Sequence, residues 1–481
     1  MRFLKVLNCC FFIPHRIYVC IIAFLGLTIC YIMRFSFSMA MTEMVQAPPI
    51  PEDPNACPYQ PGHGKNVTKK KLEFQWTEYQ QGITHSSFFW GYALTQVPGG
   101  MLAERIGAKP VLTIFVGLTS IGCALTPIIT RTFDFIGLIL LRITIGLAQG
   151  FVYASLHLVV ANWVPKQERG TWGTVVFSGA HAGNTLNNLF TGLMLSWFPG
   201  NWPVVFYVWA SLGALWTIVF SLTTYAFPTD YKDMSEKEAA ILTAYLDETS
   251  RKEKAANTPW KSIMTSLPVW AIIVAMIGHD WGLFALVTDV PKFMKSVLHF
   301  HVKNNGYANA MTFFSMWLIA IFSGLTVDLL QRKQYLKRIH SRKICTTIAS
   351  VGPSLGLLGS VYSGCNVIAA TISLILGMST MGFFYPSLKV NPIDLSVNYA
   401  GTLGALGHGI GAISGIIVPY LIGYLTPNSY MEEWRLVFWI TFGVMSLTNI
   451  FYIIFASADL QPWNTPKEKE EKSEDPKVRI T

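Results

Sequence analysis

Charged residues are scarce in this chain of 481 residues. They make up 13% of the sequence, whereas aromatic residues reach 14%. The charged share is about half of that in an ordinary soluble protein. Length alone would suggest two or three soluble domains, but such domains need charged surfaces. The composition therefore predicts a polytopic membrane protein, with the lipid bilayer as its surroundings.

Motifs for catalysis and for metal binding are also absent from the sequence. There is no Walker A sequence, no nucleophile elbow and no HExxH, and the eight cysteines show no CxxC spacing. The formal net charge is +9, but the basic residues lie between apolar runs and form no nucleic-acid-binding face. We therefore expect a protein that is not an enzyme, holds no cofactor or metal, and binds no nucleic acid.

Long apolar runs are abundant instead. A membrane-spanning helix needs roughly 20 apolar residues, and twelve runs meet this requirement. The sequence thus predicts an all-α membrane protein with twelve transmembrane helices. The predicted spans are 17–41, 80–103, 110–130, 135–161, 171–197, 204–227, 268–293, 305–330, 343–363, 366–388, 399–426 and 434–457.

The short basic loops predict the orientation of these spans. Residues 331–343, QRKQYLKRIHSRK, and a basic tail fall on one side, which the positive-inside rule assigns to the cytosol together with both termini. The loop 42–79 falls on the other side and holds a glycosylation sequon at Asn66. Cys57 and Cys365 lie on that same side and could pair.

A charged segment, 228–266, divides the helices six and six. An internal echo supports two repeated halves, because GGMLAERIGAK (99–109) and SGLTVDLLQRK (323–333) end equivalent helices. An acid at such a helix end can hold a base on a neighbouring helix and close the cytosolic side; the alternative is a solvated loop charge. The predicted divisions are 1–227, an N-terminal bundle; 228–266, a cytosolic linker; 267–457, a C-terminal bundle; and 458–481, a cytosolic tail. The predicted gate residues are Gly100, Glu104, Arg105, Lys109 and Asp328.

Two arginines lie inside apolar helices. Arg34 is nine residues before Glu43, and Arg142 is nine residues after Phe133, so both lie about 13 Å below the outer surface. A buried guanidinium should face water, a partner or a ligand, and its planar fork suits carboxylate and phosphate. We expect an anion site. The alternatives are snorkelling or pairing with a helix acid for Arg34, and an internal ion pair for Arg142.

Several motifs resemble the major facilitator superfamily, and within it the anion/cation symporter family. GGMLAERIGAK resembles the loop-two signature of the superfamily, and RITIGLAQG (142–150) its fourth-helix motif. HSSFFWGYALTQVPGG (85–100), NWVPKQERG (162–170) and YAGTLGALGHGIGAISG (399–415) resemble the symporter family, which includes sialin, vesicular glutamate transporters and sodium-dependent phosphate cotransporters. The resemblance implies the major facilitator fold of two six-helix bundles.

The resemblance also implies roles for single residues. Family members carry a Tyr and two Arg residues like Tyr31, Arg34 and Arg142, which are associated with binding of the substrate anion. Further matches, expected on the same cavity, are His85, Tyr92 and Tyr153. His85 alone would more often be a packing residue with a hydrogen bond.

Three positions bear on how transport is driven. Proton-coupled members carry a Glu where this chain has Gln149, and a carboxamide cannot carry a proton. Asp280 lies in mid-membrane, where an acid needs a role as a cation site or as a partner for Arg34 or Arg142. The glutamate branch has an Arg at the position of His279, so glutamate is disfavoured as a substrate. His279 could supply positive charge or merely pack. Because His279 and Asp280 are neighbours, about 100° apart on a helix, they should not both face one site squarely.

The sequence therefore predicts a secondary transporter of a small anion, either inorganic phosphate or an organic carboxylate, coupled to sodium or protons. An uncoupled anion channel and a receptor-like anion-binding protein stay open as alternatives. The plasma membrane is favoured because no acidic dileucine signal is present, although a vesicular or lysosomal membrane also stays open.

Overall fold

The computed structural model describes residues 14–46, 57, 73–164, 169–231, 234, 235, 238, 240, 259–396 and 399–464. Apart from an isolated bridge between Val45 and Phe74, these residues are helical or irregular. The sequon at Asn66 and the basic tail after residue 464 lie outside the described residues.

The N-terminal half, residues 14–231, is built from long helices whose ends match the predicted spans within a few residues. A helix in hydrocarbon satisfies every backbone hydrogen bond internally, so apolar length alone fixes these elements. The helices are α1 His15–Met44, α2 Glu78–Ile106, α3 Ala108–Trp163, α4 Arg169–Trp197 and α5 Pro203–Thr223.

The C-terminal half, residues 259–464, is more broken. A π-helical turn, Ala285–Asp289, joins α7 to α8, and a 3₁₀ turn, Thr380–Phe384, follows α11. The helices are α6 Trp260–Met264, α7 Leu267–Phe284, α8 Val290–Ser296, α9 Val302–Arg332, α10 Arg338–Tyr362, α11 Val367–Ser379, α12 Asn391–Leu395, α13 Ala400–Gly411, α14 Ser414–Leu425 and α15 Met431–Phe455.

Helix α3 contains two of the predicted spans. It breaks at Asp134, where φ is 52° and ψ is −151°, and Trp76 Nε1 donates a 2.7 Å hydrogen bond to Asp134 Oδ1. A Cβ on Gly122 would lie 2.7 Å from Ile145 Cγ1, so the two arms fold back and pack against each other. The expected pair of helices is thus joined by a turn of one residue.

Nine helical stretches in the described part of the chain are long and apolar enough to cross a membrane. One of them is the two-armed α3. The 29-residue helices α2 and α4 are long enough but more polar, because they contribute Gln96, His181 and Asn184 to an internal cavity. This arrangement is consistent with the twelve predicted crossings.

The two halves contact each other at the end of the bundle where α1 finishes and α2 begins, which we call the loop face. Lys295 Nζ lies 3.0 Å from Glu43 Oε1, and Lys292 forms an ion pair with the buried Glu78. Ser38 Oγ donates a 2.7 Å hydrogen bond to the carbonyl of Thr288. These contacts close the loop face.

Glycines bring helices of opposite halves together on the same face. A Cβ on Gly192 of α4 would lie 3.0 Å from the Cα of Gly306 on α9, and a Cβ on Gly82 of α2 would lie 3.1 Å from the Cα of Gly423 on α14. Small residues allow this close approach of helix backbones in a membrane.

Two polar contacts outside the helices hold the segment that leads into α2. Glu73 accepts a 2.6 Å hydrogen bond from Arg131 Nε and a 2.8 Å hydrogen bond from Trp202 Nε1. The hydrogen bond from Arg131 lowers the pKa of Glu73, because it stabilises the charged carboxylate. The segment is thereby fastened to α3 near its break at Asp134 and to the start of α5.

Cys57 and Cys365 form a disulfide across 308 residues of sequence. Cys57 belongs to the loop between α1 and α2, and Cys365 to the turn between α10 and α11. The bond therefore links the two halves on the loop face, in addition to the peptide linker between them.

This link predicts how a cleaved protein behaves. A protease site inserted between residues 250 and 251, followed by cleavage, should leave the halves as one band in a denaturing gel without reductant and two bands with it. The same protein carrying Cys57→Ser should give two bands in both lanes. Separation of the halves without reductant when both cysteines are present would contradict the bond.

Candidate functional site

A cavity of about 110 Å³ lies between the two halves. Helix α1 contributes Tyr31 and Arg34, and α7 contributes His279 and Asp280. Its wall is mixed, with apolar residues around a few charged and polar groups, as is usual for a small-molecule site. The other polar and aromatic lining residues are Phe35, Tyr92, Gln96, Tyr153, Phe177, His181, Asn184, Phe284, Phe384, Tyr385, Lys389 and His408.

Arg34 is buried, with 5% of its surface exposed, and is fixed at one side of its guanidinium. Its Nε donates a 2.9 Å hydrogen bond to Gln149 Oε1. Gln149 is held in turn, because its Nε2 donates to the carbonyl of Cys30 at 3.1 Å. Among the described residues, no acceptor hydrogen-bonds the two terminal nitrogens of Arg34, so four N–H donors remain for a ligand.

Aromatic rings surround the guanidinium of Arg34. Its Cζ lies 4.2 Å from the ring centroid of Tyr92 and 4.8 Å from those of Tyr31 and Phe88. Ring faces attract a cation without neutralising its charge. The side chain is thus stabilised while its positive charge remains available to the cavity.

Arg142 and His85 do not line the cavity, contrary to the expectation that both arginines share it. Arg142 Nη1 donates a 3.2 Å hydrogen bond to the carbonyl of Arg34, and its Cζ lies 4.6 Å from the ring centroid of Phe37. His85 packs on that same ring, at 5.1 Å between centroids. Both contacts of Arg142 are with α1, so its side chain braces the turn that carries Arg34 and does not line the cavity.

Helix α7 brings two neighbouring residues to the cavity. His279 stacks on Phe384 with 3.9 Å between centroids, and Asp280 lies beside Gly411, where a Cβ would collide with the carboxylate. Both residues line the cavity although neighbours on a helix point about 100° apart, so the cavity borders two adjacent faces of α7. No ion pair within 4 Å joins Asp280 to Arg34 or Arg142 in the described part of the chain.

Lys389 is the cavity residue that the sequence analysis missed. The predicted span 366–388 ends early, and residues 385–390 form an irregular segment after the 3₁₀ turn. Lys389 therefore does not sit in a cytosolic loop. Its Nζ lies 3.2 Å from the hydroxyl of Tyr153 and 2.8 Å from Nε2 of His408.

Two polar contacts cross between the halves at the cavity itself. Lys389 reaches Tyr153 of the N-terminal half, and Tyr385 hydrogen-bonds His181 of α4. Tyr153 lies one helical turn beyond Gln149, away from the loop face. On the side away from the loop face, the cavity is therefore closed by these two side-chain contacts. On the loop face it is closed by packed helices and ion pairs.

The predicted gate residues lie at the opposite end of the bundle. Arg105 and Asp328 are exposed, and Asp328 forms no salt bridge with a described residue. Lys109 Nζ lies 5.4 Å from the ring centroid of Tyr225, and the side chain of Glu104 lies outside the described residues. Within the described part of the chain, the ion pairs between the halves therefore lie on the loop face and not at Asp328.

The segment 391–394, NPID, braces the C-terminal half. Arg342 Nε donates a 2.8 Å hydrogen bond to Asp394, and the hydroxyl of Tyr452 donates a 2.7 Å bond to Asn391 Oδ1. Both partners belong to the same half.

The model of the Major Facilitator Superfamily matches residues 23–419. The chain belongs to this superfamily. Curated relatives place it among the anion/cation symporters, as the motifs predicted. Human sialin is 31% identical over 464 residues, which cover 95% of this chain and 91% of sialin. Vesicular glutamate transporter 2 of Bos taurus is 32% identical and covers 96% of this chain and 77% of its own.

A third relative comes from an insect. The protein named "Putative inorganic phosphate cotransporter" in Drosophila ananassae is 32% identical over 456 residues, covering 93% of this chain and 94% of that protein. Two of these three relatives are named as transporters.

Solved structures with the same fold are transporters too. A bacterial homolog of the human lysosomal transporter Spinster, inward-facing and unoccupied, superimposes with a TM-score of 0.69 over 93% of this chain and 99% of its own, at 14% identity. The inward open xylose transporter of E. coli gives 0.68 over 92% and 96%, at 13% identity. The major facilitator fold predicted from the sequence is confirmed.

The glycine contacts predict how access to the cavity can be changed. In Gly306→Val the new Cβ would lie 2.6 Å from the carbonyl oxygen of Asn188, and such overpacking costs about 1–3 kcal/mol. If this cost destabilises the conformation in which the loop face is closed, the ratio of open to closed protein rises about 5- to 150-fold. We expect a membrane-impermeant maleimide added on the loop side to label Val287→Cys, on the cavity wall, correspondingly faster.

The matched control is Gly443→Val, because a Cβ there meets nothing within 4 Å. Each variant is compared with the same protein lacking the introduced cysteine, which corrects for native thiols. Equal labelling rates in the two backgrounds would contradict a loop face closed by this glycine contact.

Proposed function

We propose that this protein is a secondary active transporter that carries a small anion, inorganic phosphate or an organic carboxylate, in symport with a cation. Transport proceeds by alternating access around the cavity between the halves. The names of the relatives, which are sialin, vesicular glutamate transporter 2 and a putative inorganic phosphate cotransporter, support an anionic substrate, and each aligns with at least 93% of this chain.

The free side of Arg34 is the observation that carries this proposal. A buried guanidinium is costly in a membrane. The contacts that stabilise Arg34 are the hydrogen bond from its Nε to Gln149 and the aromatic rings that face its guanidinium. Arg34 lines the cavity between the halves, and its terminal nitrogens have no described acceptor. A carboxylate or phosphate with two oxygens fits that fork.

The charges on the cavity wall suggest how a cation enters the cycle. Arg34 and Lys389 are positive, and Asp280 is the carboxylate among the lining residues. With Asp280 ionised the wall has a net charge of +1, so a second negative charge in the cavity calls for a cation, and Asp280 is the residue that can accept a proton or sodium. Gln149, which hydrogen-bonds Arg34, cannot do so. This makes Asp280 our candidate for coupling.

The disulfide supports the orientation that we propose for the chain. A disulfide persists in an oxidising compartment, so we place the loop face, with Cys57 and Cys365, outside the cytosol. Both termini are then cytosolic, as the basic loops predict. A plasma membrane is favoured, and a vesicular membrane has the same sidedness.

Replacement of Arg34 tests the anion site. Arg34→Ala should reduce uptake to the level of empty liposomes, and Arg34→Lys should weaken it about 10- to 150-fold, because it keeps the charge but loses the fork, at about 1.5–3 kcal/mol. The measurement is uptake of labelled phosphate and of a panel of labelled carboxylates into proteoliposomes with imposed sodium or pH gradients.

Arg338→Ala serves as the control, since Arg338 is exposed at the start of α10. Retained uptake by Arg34→Ala would refute the binding role. If the unaltered protein never accumulates the anion beyond its electrochemical equilibrium, the flux would instead indicate a channel. Saturable binding without flux would indicate a receptor.

Replacement of Asp280 tests coupling. In Asp280→Asn the wall holds two positive charges and no carboxylate, so an anion no longer calls for a cation. We expect uptake driven by the sodium or pH gradient to fall at least tenfold, whereas exchange of labelled for unlabelled anion across the membrane continues. Asp459→Asn, an exposed acid near the C-terminal end of the described chain, should leave both unchanged. Gradient-driven uptake at the normal rate in Asp280→Asn would show that another group carries the cation.

A further inference from the structure

Lys389, which is partly buried, differs from three other cations of the C-terminal half in having no described acidic partner. Arg342 is paired with Asp394, and Lys292 and Lys295 are paired with Glu78 and Glu43. Among the described residues, no carboxylate lies within 4 Å of Lys389. The charge of Lys389 is therefore not compensated by a direct contact.

Its immediate partners leave it capacity for a ligand. An ammonium group has three donors and no acceptor. One donor is directed to the hydroxyl of Tyr153 and one to Nε2 of His408, and the third has no described acceptor. Lys389 lines the same cavity as Arg34, so its remaining donor and its charge are available to whatever occupies that cavity.

Lys389 and Arg34 approach the cavity from opposite halves. Arg34 is carried by α1, one of the straight N-terminal helices, and Lys389 by the irregular segment 385–390 of the C-terminal half. An anion that touches both cations therefore bridges the two bodies that move against each other during alternating access. Contact with only one cation would leave the charge of the other without a counter-charge in direct contact.

We propose that Lys389 is a second anion-binding group and that the transported substrate carries two negative charges, one held by Arg34 and one by Lys389. This inference rests on the proposed function and narrows its substrate to divalent oxyanions and dicarboxylates. Asp280 then balances the charge, because two positive groups, one carboxylate and a dianion leave one negative charge for the coupling cation.

Other titratable groups face the same space and are part of its charge balance. A change in the charge of any of them changes the net charge of the cavity, so uptake is compared at one fixed pH. They are Tyr31 of α1, Tyr92 of α2, Tyr153 of α3, His181 of α4, His279 and Asp280 of α7, Tyr385 beside Lys389, and His408 of α13.

The experiment compares anions of equal carbon number and different charge. Purified protein in proteoliposomes is given labelled succinate, which has two carboxylates, or labelled butyrate, which has one; labelled phosphate at pH 8 is the divalent inorganic probe. We expect the unaltered protein to take up succinate or phosphate in preference to butyrate. Lys389→Gln should lose at least tenfold of the divalent uptake and little of the monovalent uptake.

Further variants separate a local contact from net charge. The double variant Asp280→Asn with Lys389→Gln restores the net charge of +1 but lacks the second cation, so its exchange of divalent anion should stay low. Lys389→Arg should recover part of the divalent uptake. Lys337→Gln, which removes an exposed lysine before α10, is the matched control.

The outcomes distinguish the two proposals. If divalent uptake by Lys389→Gln equals that of the unaltered protein, or if the unaltered protein prefers butyrate or takes up none of the three probes, the inference about Lys389 is wrong. If no anion of the wider panel enters or binds, the proposed function itself is wrong. A divalent preference that is lost in Lys389→Gln and in the double variant supports the inference.

Discussion

A positive charge buried in a membrane protein has to be stabilised without being neutralised if it is to bind a substrate. Arg34 meets this condition through the division of its surface. Gln149 holds the Nε edge with a neutral amide, and three rings within 5 Å of Cζ stabilise the cation with their faces. An acid in place of either would have formed an ion pair and left less charge for a ligand. The position of the cavity, the charges around it and the choice of coupling group all depend on this arrangement.

The two faces of the bundle are closed by different kinds of contact. The loop face has backbone contacts at glycines, two ion pairs between the halves and a disulfide. Toward the other face, the described contacts between the halves at the cavity are the side-chain pairs Lys389–Tyr153 and His181–Tyr385. Such side chains can rotate away at small cost, whereas packed helices must move as bodies. The cavity in this conformation is therefore closer to opening away from the loop face.

Most of the helices could be predicted from apolar length, because hydrocarbon leaves the backbone no other solution. The same reasoning failed for 366–388. Apolar residues continue past Ser379, but the helix tightens at Thr380–Phe384 and then unwinds. Protein surrounds this stretch, so its irregular backbone is tolerated, and Lys389, which sequence alone placed at a span's end, enters the cavity. A lysine within ten residues of a Gly-Phe-Phe-Tyr-Pro run was the available signal.

The site itself could be predicted only in part, for a geometric reason. Counting residues predicts depth along a helix, and Arg34, Tyr31 and Asp280 all line the cavity between the halves. The direction of a side chain around the helix depends on neighbouring helices. Arg142, expected at the depth of Arg34, lies behind α1. Gln149 was considered only because a carboxamide cannot carry a proton, whereas its hydrogen bond shows a second role, that of holding Arg34.

The disulfide also constrains the order of biosynthesis. Cys57 is made 308 residues before Cys365, which at about 5–20 residues per second is roughly 15–60 s of synthesis. During that interval the thiol of Cys57 has no native partner, and the first half must already be inserted with its loop on the oxidising side. Bond formation then reports that the turn after α10 has reached that side too. The disulfide therefore forms only in chains whose two halves were inserted with both cysteine-bearing loops on the same side of the membrane.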